Sequence, residues 1–392
     1  MDIHEYQAKK IFRHVGIPIL KGAVAYTGAE AARVAEKIDS AKGWVVKAQI
    51  YSPMRGQGVF REKEAGKKSG IRFAKTRSSV RKETEAMLGN RLVTPFTGPQ
   101  GQEVKKVYIE EKIDISATYA LEIYIDFSQE KVFVTAQNTT PGIKGRIIKQ
   151  ELDLQKNLTP SRAAGIAAKI GMKRGHIKRT AKILQAMYEI FKTYAAFRVE
   201  ISPLVITSTN SLVALDGKIV FDPDAVSNYK EIADMRDRED ESLNEIKARL
   251  NNFRYVKLNG NIGCITNGSG LSMATLDLLH MYGGTPSCIL DLGGDPTKEI
   301  VANALKTILS EPDIEGVLIN IFGGSARCDI IAEGLVSAAK EISDSIPIVV
   351  RIEGTNDQIG CRLLFESGLP FIVKQSMDDA VRTIIQSVQE IM

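Results

Sequence analysis

The sequence has few of the residues that build zinc sites, disulfide frameworks and membrane spans. Its four cysteines are widely spaced, form no Cys-x-x-Cys pair and all fall in the C-terminal third. This spacing predicts neither a zinc site nor a disulfide framework, and it is typical of a reducing compartment such as the cytoplasm. No apolar run approaches the length that a membrane helix needs, so we predict no membrane contact.

Charge of one sign is also scarce, because the net charge is only +5 over 392 residues. Such a small excess argues weakly for small anionic ligands and against a nucleic-acid partner. The first residues, MDIHEYQAKK, include Asp2 and Glu5 and lead into a helical pattern, whereas a targeting peptide would be poor in acids or have an apolar core. A chain of this length is expected to form two or three domains.

Strands of continuous apolar residues alternate with helical patterns from about residue 245 onward. This alternation predicts a doubly wound, flavodoxin-like domain whose parallel sheet is covered on both faces. The N-terminal two-thirds combines hairpins with helices, which predicts an α+β arrangement. A charged segment over 233–250 is predicted to connect the two halves.

Glycine loops follow four predicted strands of the C-terminal domain, at 267–270, 292–299, 322–327 and 353–357. In a parallel sheet such loops lie at one edge, where open α/β folds bind ligands. The N–H groups of Gly324, Ser325 and Ala326 could hold a carboxylate or phosphate, or this loop could be a plain turn. A dinucleotide site is disfavoured because NGSGLSM has Met273 at the third glycine position.

Two acids flank a predicted hairpin in VEISPLVITSTNSLVALDGK, residues 199–218. Glu200 precedes the turn STNS and Asp216 follows it, so paired strands would bring Asp216 close to Ser202 and leave Glu200 nearby. The residues alone leave two alternatives open, a metal and phosphate site or two solvated carboxylates on an ordinary hairpin.

Five motifs occur in order along the chain: MDIHEYQAK, LVTPFTGPQGQ, EISPLVIT with LDGK, GNIGCITNGSGL and LINIFGGSARCD. Together they resemble the β subunit of succinate–CoA ligase (succinyl-CoA synthetase) and its close relative, the malate–CoA ligase β subunit, over essentially the whole chain. The resemblance implies an ATP-grasp domain over residues 1–236 and a flavodoxin-like CoA-ligase domain over residues 245–392. The implied activity is the reversible, ADP-forming synthesis of succinyl-CoA from succinate, CoA and ATP.

The resemblance also implies the cofactors and the residues that contact them. Mg²⁺ and ATP are the implied cofactors, with GTP as a possible replacement for ATP. Carried over by position, the nucleotide contacts are Lys47, Arg55 and Gly56, with Glu110 at the adenine or hinge edge.

The metal, the catalytic group and the substrate site follow from the same resemblance. Asp216 and Ser202 would bind magnesium, and Glu200 would orient or stabilise a phosphohistidine. That histidine and the CoA site belong to a partner α subunit. The carboxylate of succinate or malate would be held by Asn267, Gly324, Ser325 and Ala326.

Departures from the family pattern cluster in the nucleotide half. Ser202 stands where the family has asparagine, and YSPMRGQG replaces a loop that reads roughly His-Ala-Gly-Gly-Arg-Gly-Lys-Ala-Gly-Gly. Pro53 has no N–H to offer a phosphate, Met54 adds bulk, and Gln57 removes a positive charge. Thr118 replaces a nucleotide-contacting glutamate. A catalytically impaired subunit that binds and modulates an α subunit is therefore kept as an alternative to the working enzyme.

Overall fold

The computed structural model describes residues 1–38, 40–237, 243–341 and 346–390. The chain forms two compact units, Met1–Arg236 and Asp237–Met392. Within the predicted connecting segment, residues 238–242 lie outside the described residues.

The first unit is a mixture of antiparallel sheets and helices. Its strands are β1 (Gly22–Ala25), β2 (Trp44–Ala48), β3 (Val59–Phe60), β4 (Ile71–Ala74), β5 (Arg91–Val93), β6 (Gln102–Glu103), β7 (Val107–Glu111), β8 (Ile115–Asp126), β9 (Lys131–Asn138), β10 (Ile148–Leu152), β11 (Ala196–Thr207), β12 (Leu212–Ala214) and β13 (Lys218–Phe221). Its helices are α1 (Glu5–His14), α2 (Gly28–Lys37), α3 (Arg77–Glu85), α4 (Pro160–Lys169), α5 (Arg174–Thr193) and α6 (Lys230–Ala233).

Threonine side chains cap the N-termini of three of these helices. Thr27, Thr76 and Thr159 each accept a hydrogen bond from the backbone N–H three residues later, which satisfies a donor that the helix leaves free. Pro160 occupies the first position of α4, where its missing N–H costs nothing.

Three sheets organise the first unit. A four-stranded sheet has the order β1-β7-β2-β4, and a three-stranded sheet has the order β3-β5-β6. The largest sheet has the order β10-β9-β8-β11-β12, with β13 also paired to β11. The apolar side chains of this largest sheet form one buried core with those of α1, α4 and α5.

Strand β11 pairs with both strands that follow it, in antiparallel register. Leu204 lies opposite Ala214 on β12, and Glu200 lies opposite Lys218 on β13. Between these two pairings, Leu215 N–H donates to the carbonyl of Pro203 over 3.0 Å. The hairpin therefore brings Asp216 alongside the stretch of β11 that carries Glu200 and Ser202.

The second unit is a single six-stranded sheet with helices on both faces. Its strands are β14 (Arg254–Lys257), β15 (Ile262–Thr266), β16 (Pro286–Asp291), β17 (Gly316–Gly323), β18 (Ile348–Gly354) and β19 (Phe371–Val373). Its helices are α7 (Leu243–Leu250), α8 (Ser269–Met281), α9 (Lys298–Leu309), α10 (Cys328–Ala339), α11 (Asp357–Glu366) and α12 (Met377–Gln389).

The strand order β14-β16-β15-β17-β18-β19 confirms the predicted doubly wound sheet, because β15 to β19 are all parallel. Helices α9, α10 and α11 cover one face, and α8 and α12 cover the other. The four glycine loops consequently lie at the carboxyl edge of the sheet.

One strand of the second unit departs from the parallel order. The stretch YVKLNGNIGCIT forms β14, which is antiparallel to β16, and then β15. The chain turns through Gly260, where a Cβ atom would lie 2.1 Å from the carbonyl oxygen of Thr285. Only glycine allows such a close approach of two backbones.

Across the part of the chain that is described, no helix is both long enough and apolar enough to span a membrane.

Replacing Leu184 by alanine tests the core of the first unit. Leu184 is completely buried on α5, so we expect a loss of about 2–5 kcal/mol in the free energy of unfolding. The measurement is urea unfolding followed by the fluorescence of Trp44, the single tryptophan. Lys178→Ala, on the exposed side of the same helix, is the control and should change stability by less than about 0.5 kcal/mol. Equal effects of the two variants would contradict the assigned core.

Candidate functional site

A cavity of about 370 Å³ in the first unit collects several of the predicted site residues. One wall is the β11 hairpin, with Glu200, Ser202 and Asp216, and the other is the segment before β3, with Arg55 and Gly56. The predicted hairpin site and the predicted phosphate loop therefore face the same space.

Arg55 joins the two walls of this cavity. Its Nη2 lies 2.6 Å from Oδ2 of Asp216, and its Nη1 donates to the carbonyl of Ala48 over 2.9 Å. The other oxygen of Asp216 accepts the backbone N–H of Gly217 over 2.8 Å. Asp216 thus already holds a cation in this structure, and that cation is a guanidinium.

Glu5, which lines the cavity, is the centre of a cluster of charged residues. Its Oε1 lies 2.9 Å from Nζ of Lys9 and 2.8 Å from Nζ of Lys47, and its Oε2 lies 2.8 Å from Nη2 of Arg55. The Glu5 side chain is only 2% exposed. An unpaired buried charge is costly, so the carboxylate of Glu5 fixes the positions of all three cations.

Lys47 and Glu110 are buried more deeply in the first unit than contacts with a nucleotide would suggest. Lys47 Nζ contacts Glu5, the carboxylate of Glu110 and the carbonyl of Leu215, the last at 2.8 Å. Glu110 is completely buried and also pairs with Lys9, at 2.5 Å. The residues that line the cavity include neither Lys47 nor Glu110. Their predicted contacts with a nucleotide accordingly stay predictions.

Six charged groups, all of them buried except the partly exposed Asp216, form a set that we call the charge hub: Glu5, Lys9, Lys47, Arg55, Glu110 and Asp216. Burial opposes ionisation of Glu5, but Lys47, Lys9 and Arg55 outweigh it and hold the pKa of Glu5 well below its ordinary value. Burial likewise opposes the charge on Lys9, yet Glu5 and Glu110 raise its pKa above the ordinary value. The Glu5 carboxylate and the Lys9 ammonium group are therefore both expected to be charged at neutral pH.

Sequence reasoning missed the roles of Glu5 and Lys9. Both belong to the motif MDIHEYQAK, but neither was predicted to be a site residue. A usable signal was present, because an acid and a base four residues apart on a helix can pair. Ala8 and Phe12, which are buried, share that side of α1.

The altered loop has a strained backbone at Met54. This residue has φ of 60° and ψ of 32°, in the left-handed region, and its side chain is exposed. The left-handed conformation costs a residue with a Cβ about 1–2 kcal/mol. Arg55 to Gln57 then form a short 3₁₀ helix that delivers Arg55 to Asp216.

Glu200 lies opposite a second carboxylate on the neighbouring strand. Its register partner on β8 is Glu122, and its partner on β13 is Lys218. Burial, and next the charge of Glu122, raise the pKa of Glu200 above its ordinary value. Glu200 also lines a second cavity of about 280 Å³ that includes Glu122 and Thr135. Glu200 therefore lines two cavities.

The oxygen donors at the cavity fit magnesium. Ser202 is exposed and Asp216 is partly exposed on the same wall, and Mg²⁺ prefers one or two protein oxygens completed by phosphate and water. The guanidinium against Asp216 marks a position where a cation is already stable. Asp216 and Ser202 could therefore hold a magnesium ion once the Arg55 guanidinium moves away from Oδ2 of Asp216.

The predicted substrate residues lie at the carboxyl edge of the sheet in the second unit. The Asn267 amide group donates to the carbonyl of Phe322 and accepts the N–H of Phe322, both at 2.9 Å. The Ser325 hydroxyl donates to the carbonyl of Gly294 over 2.6 Å. Gly324 and Ser325 are exposed and Ala326 is buried, directly before α10. Asn267 and Ser325 thus hold the edge loops together.

Comparisons with known proteins agree with the two-part layout. The family model of the ATP-grasp domain matches residues 2–206, and that of the CoA-ligase matches residues 265–383, which confirms the predicted order of the two folds. The β subunits of ADP-forming succinate–CoA ligase from Paramagnetospirillum magneticum and Staphylococcus saprophyticus are 41% and 40% identical to this chain, over 100% of both chains in each case.

A solved structure has the same overall fold. ATP citrate lyase from Methanothrix soehngenii, in complex with citrate and coenzyme A, has a TM-score of 0.74 at 17% identity, and the match covers 98% of this chain and 99% of that one. At this identity the likeness concerns the fold alone.

Replacing Glu5 by glutamine tests the charge hub. At neutral pH we expect a loss of about 3–5 kcal/mol in the free energy of unfolding, because Lys9, Lys47 and Arg55 would keep only two carboxylates. Urea unfolding followed by Trp44 fluorescence measures it. Glu151→Gln, whose side chain is 54% exposed on β10, is the control and should be nearly neutral.

The difference in the free energy of unfolding between the parent and Glu5→Gln should depend on pH. The folded state depresses the pKa of Glu5, so its stabilisation is complete above the unfolded value, about 4.3. Below that pH, the advantage of the parent over Glu5→Gln should shrink by about 1.4 kcal/mol per pH unit. A constant difference from pH 7 to pH 3 would contradict the hub.

Proposed function

We propose that this chain, which belongs to the family of β subunits of ADP-forming succinate–CoA ligases, acts as an acid–thiol ligase together with an α subunit. The reaction is the reversible formation of succinyl-CoA from succinate, CoA and ATP. The observation that carries this proposal is the cavity where Arg55 and Gly56 face Glu200, Ser202 and Asp216. It combines a cation for phosphate with oxygen ligands for magnesium and a carboxyl group for an incoming histidine.

Arg55 and the backbone around Gly56 bind the nucleotide phosphates in this proposal. Asp216 and Ser202 hold Mg²⁺, which when bound neutralises charge on the phosphate oxygens. Glu5 keeps Arg55 and Lys47 in place, so the positive charge is preorganised before the nucleotide arrives. ATP is the first choice of nucleotide, and GTP is tested beside it.

Glu200 orients the histidine of the α subunit that accepts the phosphoryl group. A carboxyl group that accepts the N–H of an imidazole fixes which ring nitrogen is free to react. Glu200 suits this role because it lies on the cavity wall with Asp216, where the phosphoryl group would be transferred. The chain itself then needs no nucleophilic histidine.

The edge loops of the second unit bind the acid. The backbone N–H groups of Gly324, Ser325 and Ala326 lie in the loop that leads into α10, which begins at Cys328, and loop N–H groups of this kind can bind a carboxylate. Asn267 acts there by holding the backbone of Phe322. The carboxylate would be activated as an acyl phosphate, and the CoA thiol, bound by the α subunit, would then attack the acyl carbon, form the thioester and release inorganic phosphate.

Two observations favour testing alternatives to a working succinate–CoA ligase subunit, namely an impaired subunit and malate as the acid. Pro53 and Met54 line the cavity in place of glycines, which favours an impaired subunit that binds and modulates an α subunit. The Ser325 hydroxyl donates to Gly294, so its oxygen can still accept a hydrogen bond from the hydroxyl group of malate.

Substitution of Asp216 by asparagine tests the catalytic proposal. In a complex with the α subunit, transfer of radiolabelled phosphate from Mg-ATP to the histidine should fall at least about 100-fold, because the metal loses the negative charge of its carboxylate ligand. Assembly, measured by gel filtration, should not change. Glu151→Gln is the control and should match the parent. If the parent complex assembles yet transfers no phosphate from ATP or GTP, the impaired subunit is the better description.

Substitution of Ser325 by alanine tests the choice of acid. If Ser325 accepts the malate hydroxyl, kcat/KM for malate should fall about tenfold while that for succinate stays within twofold. Thr355→Val is the matched control, because the Thr355 hydroxyl also holds an edge-loop carbonyl, that of Gly324 at 3.1 Å. Equal losses for both acids in Ser325→Ala would remove malate as a candidate on this ground.

A further inference from the structure

We propose that Arg55 is a resident counter-ion that competes with divalent cations for Asp216. The proposal rests on the proposed nucleotide site and adds how a cation gains access to it. Asp216 has two oxygens, and both are engaged: Oδ2 by Arg55 at 2.6 Å and Oδ1 by the N–H of Gly217 at 2.8 Å. A metal ion that binds Oδ2 of Asp216 therefore competes with the guanidinium for that oxygen.

The charge hub has no net charge to attract a free cation. Glu5, Glu110 and Asp216 are balanced by Lys9, Lys47 and Arg55, all within one connected set of ion pairs. A divalent ion alone would meet a neutral site whose best carboxylate is occupied. The Coulomb attraction that normally draws Mg²⁺ to a carboxylate is cancelled by the guanidinium beside it.

Arg55 has a second carboxylate that can keep it in place after displacement. Its Nη2 lies 2.8 Å from Oε2 of Glu5, and its Nη1 stays anchored on the carbonyl of Ala48 at 2.9 Å. Releasing Asp216 therefore leaves the guanidinium paired, and the negative phosphates of a nucleotide would draw it further from Asp216. The geometry favours entry of the metal together with the nucleotide.

The test measures Mn²⁺ binding to the full-length chain without any nucleotide, from the electron paramagnetic resonance signal of free Mn²⁺. Arg55→Gln should bind Mn²⁺ at least about tenfold more tightly than the parent, because the competing charge is gone. The gain should disappear in Arg55→Gln combined with Asp216→Asn. Arg55→Lys, which keeps the charge, is the matched control and should stay close to the parent.

Three outcomes overturn the proposal: equal Mn²⁺ affinity in the parent and Arg55→Gln, a gain that persists in the double variant, or a comparable gain in Arg55→Lys. Where Arg55→Gln fails to fold, the parent is compared with Asp216→Asn alone. Equal, weak binding by those two supports the proposal, and at least about tenfold tighter binding by the parent contradicts it. Because no nucleotide or α subunit is present, failure of phosphoryl transfer leaves this comparison intact.

Discussion

The buried carboxylate of Glu5 is the constraint on which the nucleotide half of this protein depends. It belongs to α1, while the cations around it come from α1 itself, from β2 and from the short 3₁₀ helix of the altered loop. None of these buried charges is stable without its partners. These ion pairs consequently hold the helix, the four-stranded sheet and the β11 hairpin together at one place. Because Arg55 takes part in the ion pairs, its guanidinium reaches the cavity in a fixed orientation.

A different principle arranges the second unit. There the parallel order of β15 to β19 places four glycine loops at one edge, and side-chain to backbone bonds connect the loops to one another. Asn267 bridges to Phe322 and Ser325 bridges to Gly294. The edge is thus preorganised by hydrogen bonds rather than by ion pairs. Backbone N–H groups suit a carboxylate, whereas the cations and oxygen ligands of the first unit suit phosphate with its metal.

Much of the fold could be predicted from local patterns. Continuous apolar strands followed by glycine loops predicted the doubly wound sheet, and the spacing of Glu200, Ser202 and Asp216 around a turn predicted that they meet. The exceptions depend on partners far along the chain. Glu5 pairs with Lys47 and Arg55, and Arg55 pairs with Asp216 161 residues away. Strand β14 pairs antiparallel with β16, and the turn after it brings Gly260 against Thr285. No local pattern contains these pairings. For the same reason, the sequence could not reveal that Lys47 is already surrounded by acceptors.

We propose that one cavity binds the metal and the nucleotide phosphates through Asp216 and Arg55. The decisive experiment is a crystal structure of the full-length chain with ADP and Mn²⁺, in which the metal is located by its anomalous signal. Mn²⁺ should then be bound to the carboxylate of Asp216, with the Arg55 guanidinium on a phosphate and the Glu5 contacts to Lys47 unchanged. Nucleotide bound elsewhere, or an intact Arg55–Asp216 pair without metal beside bound ADP, would contradict it.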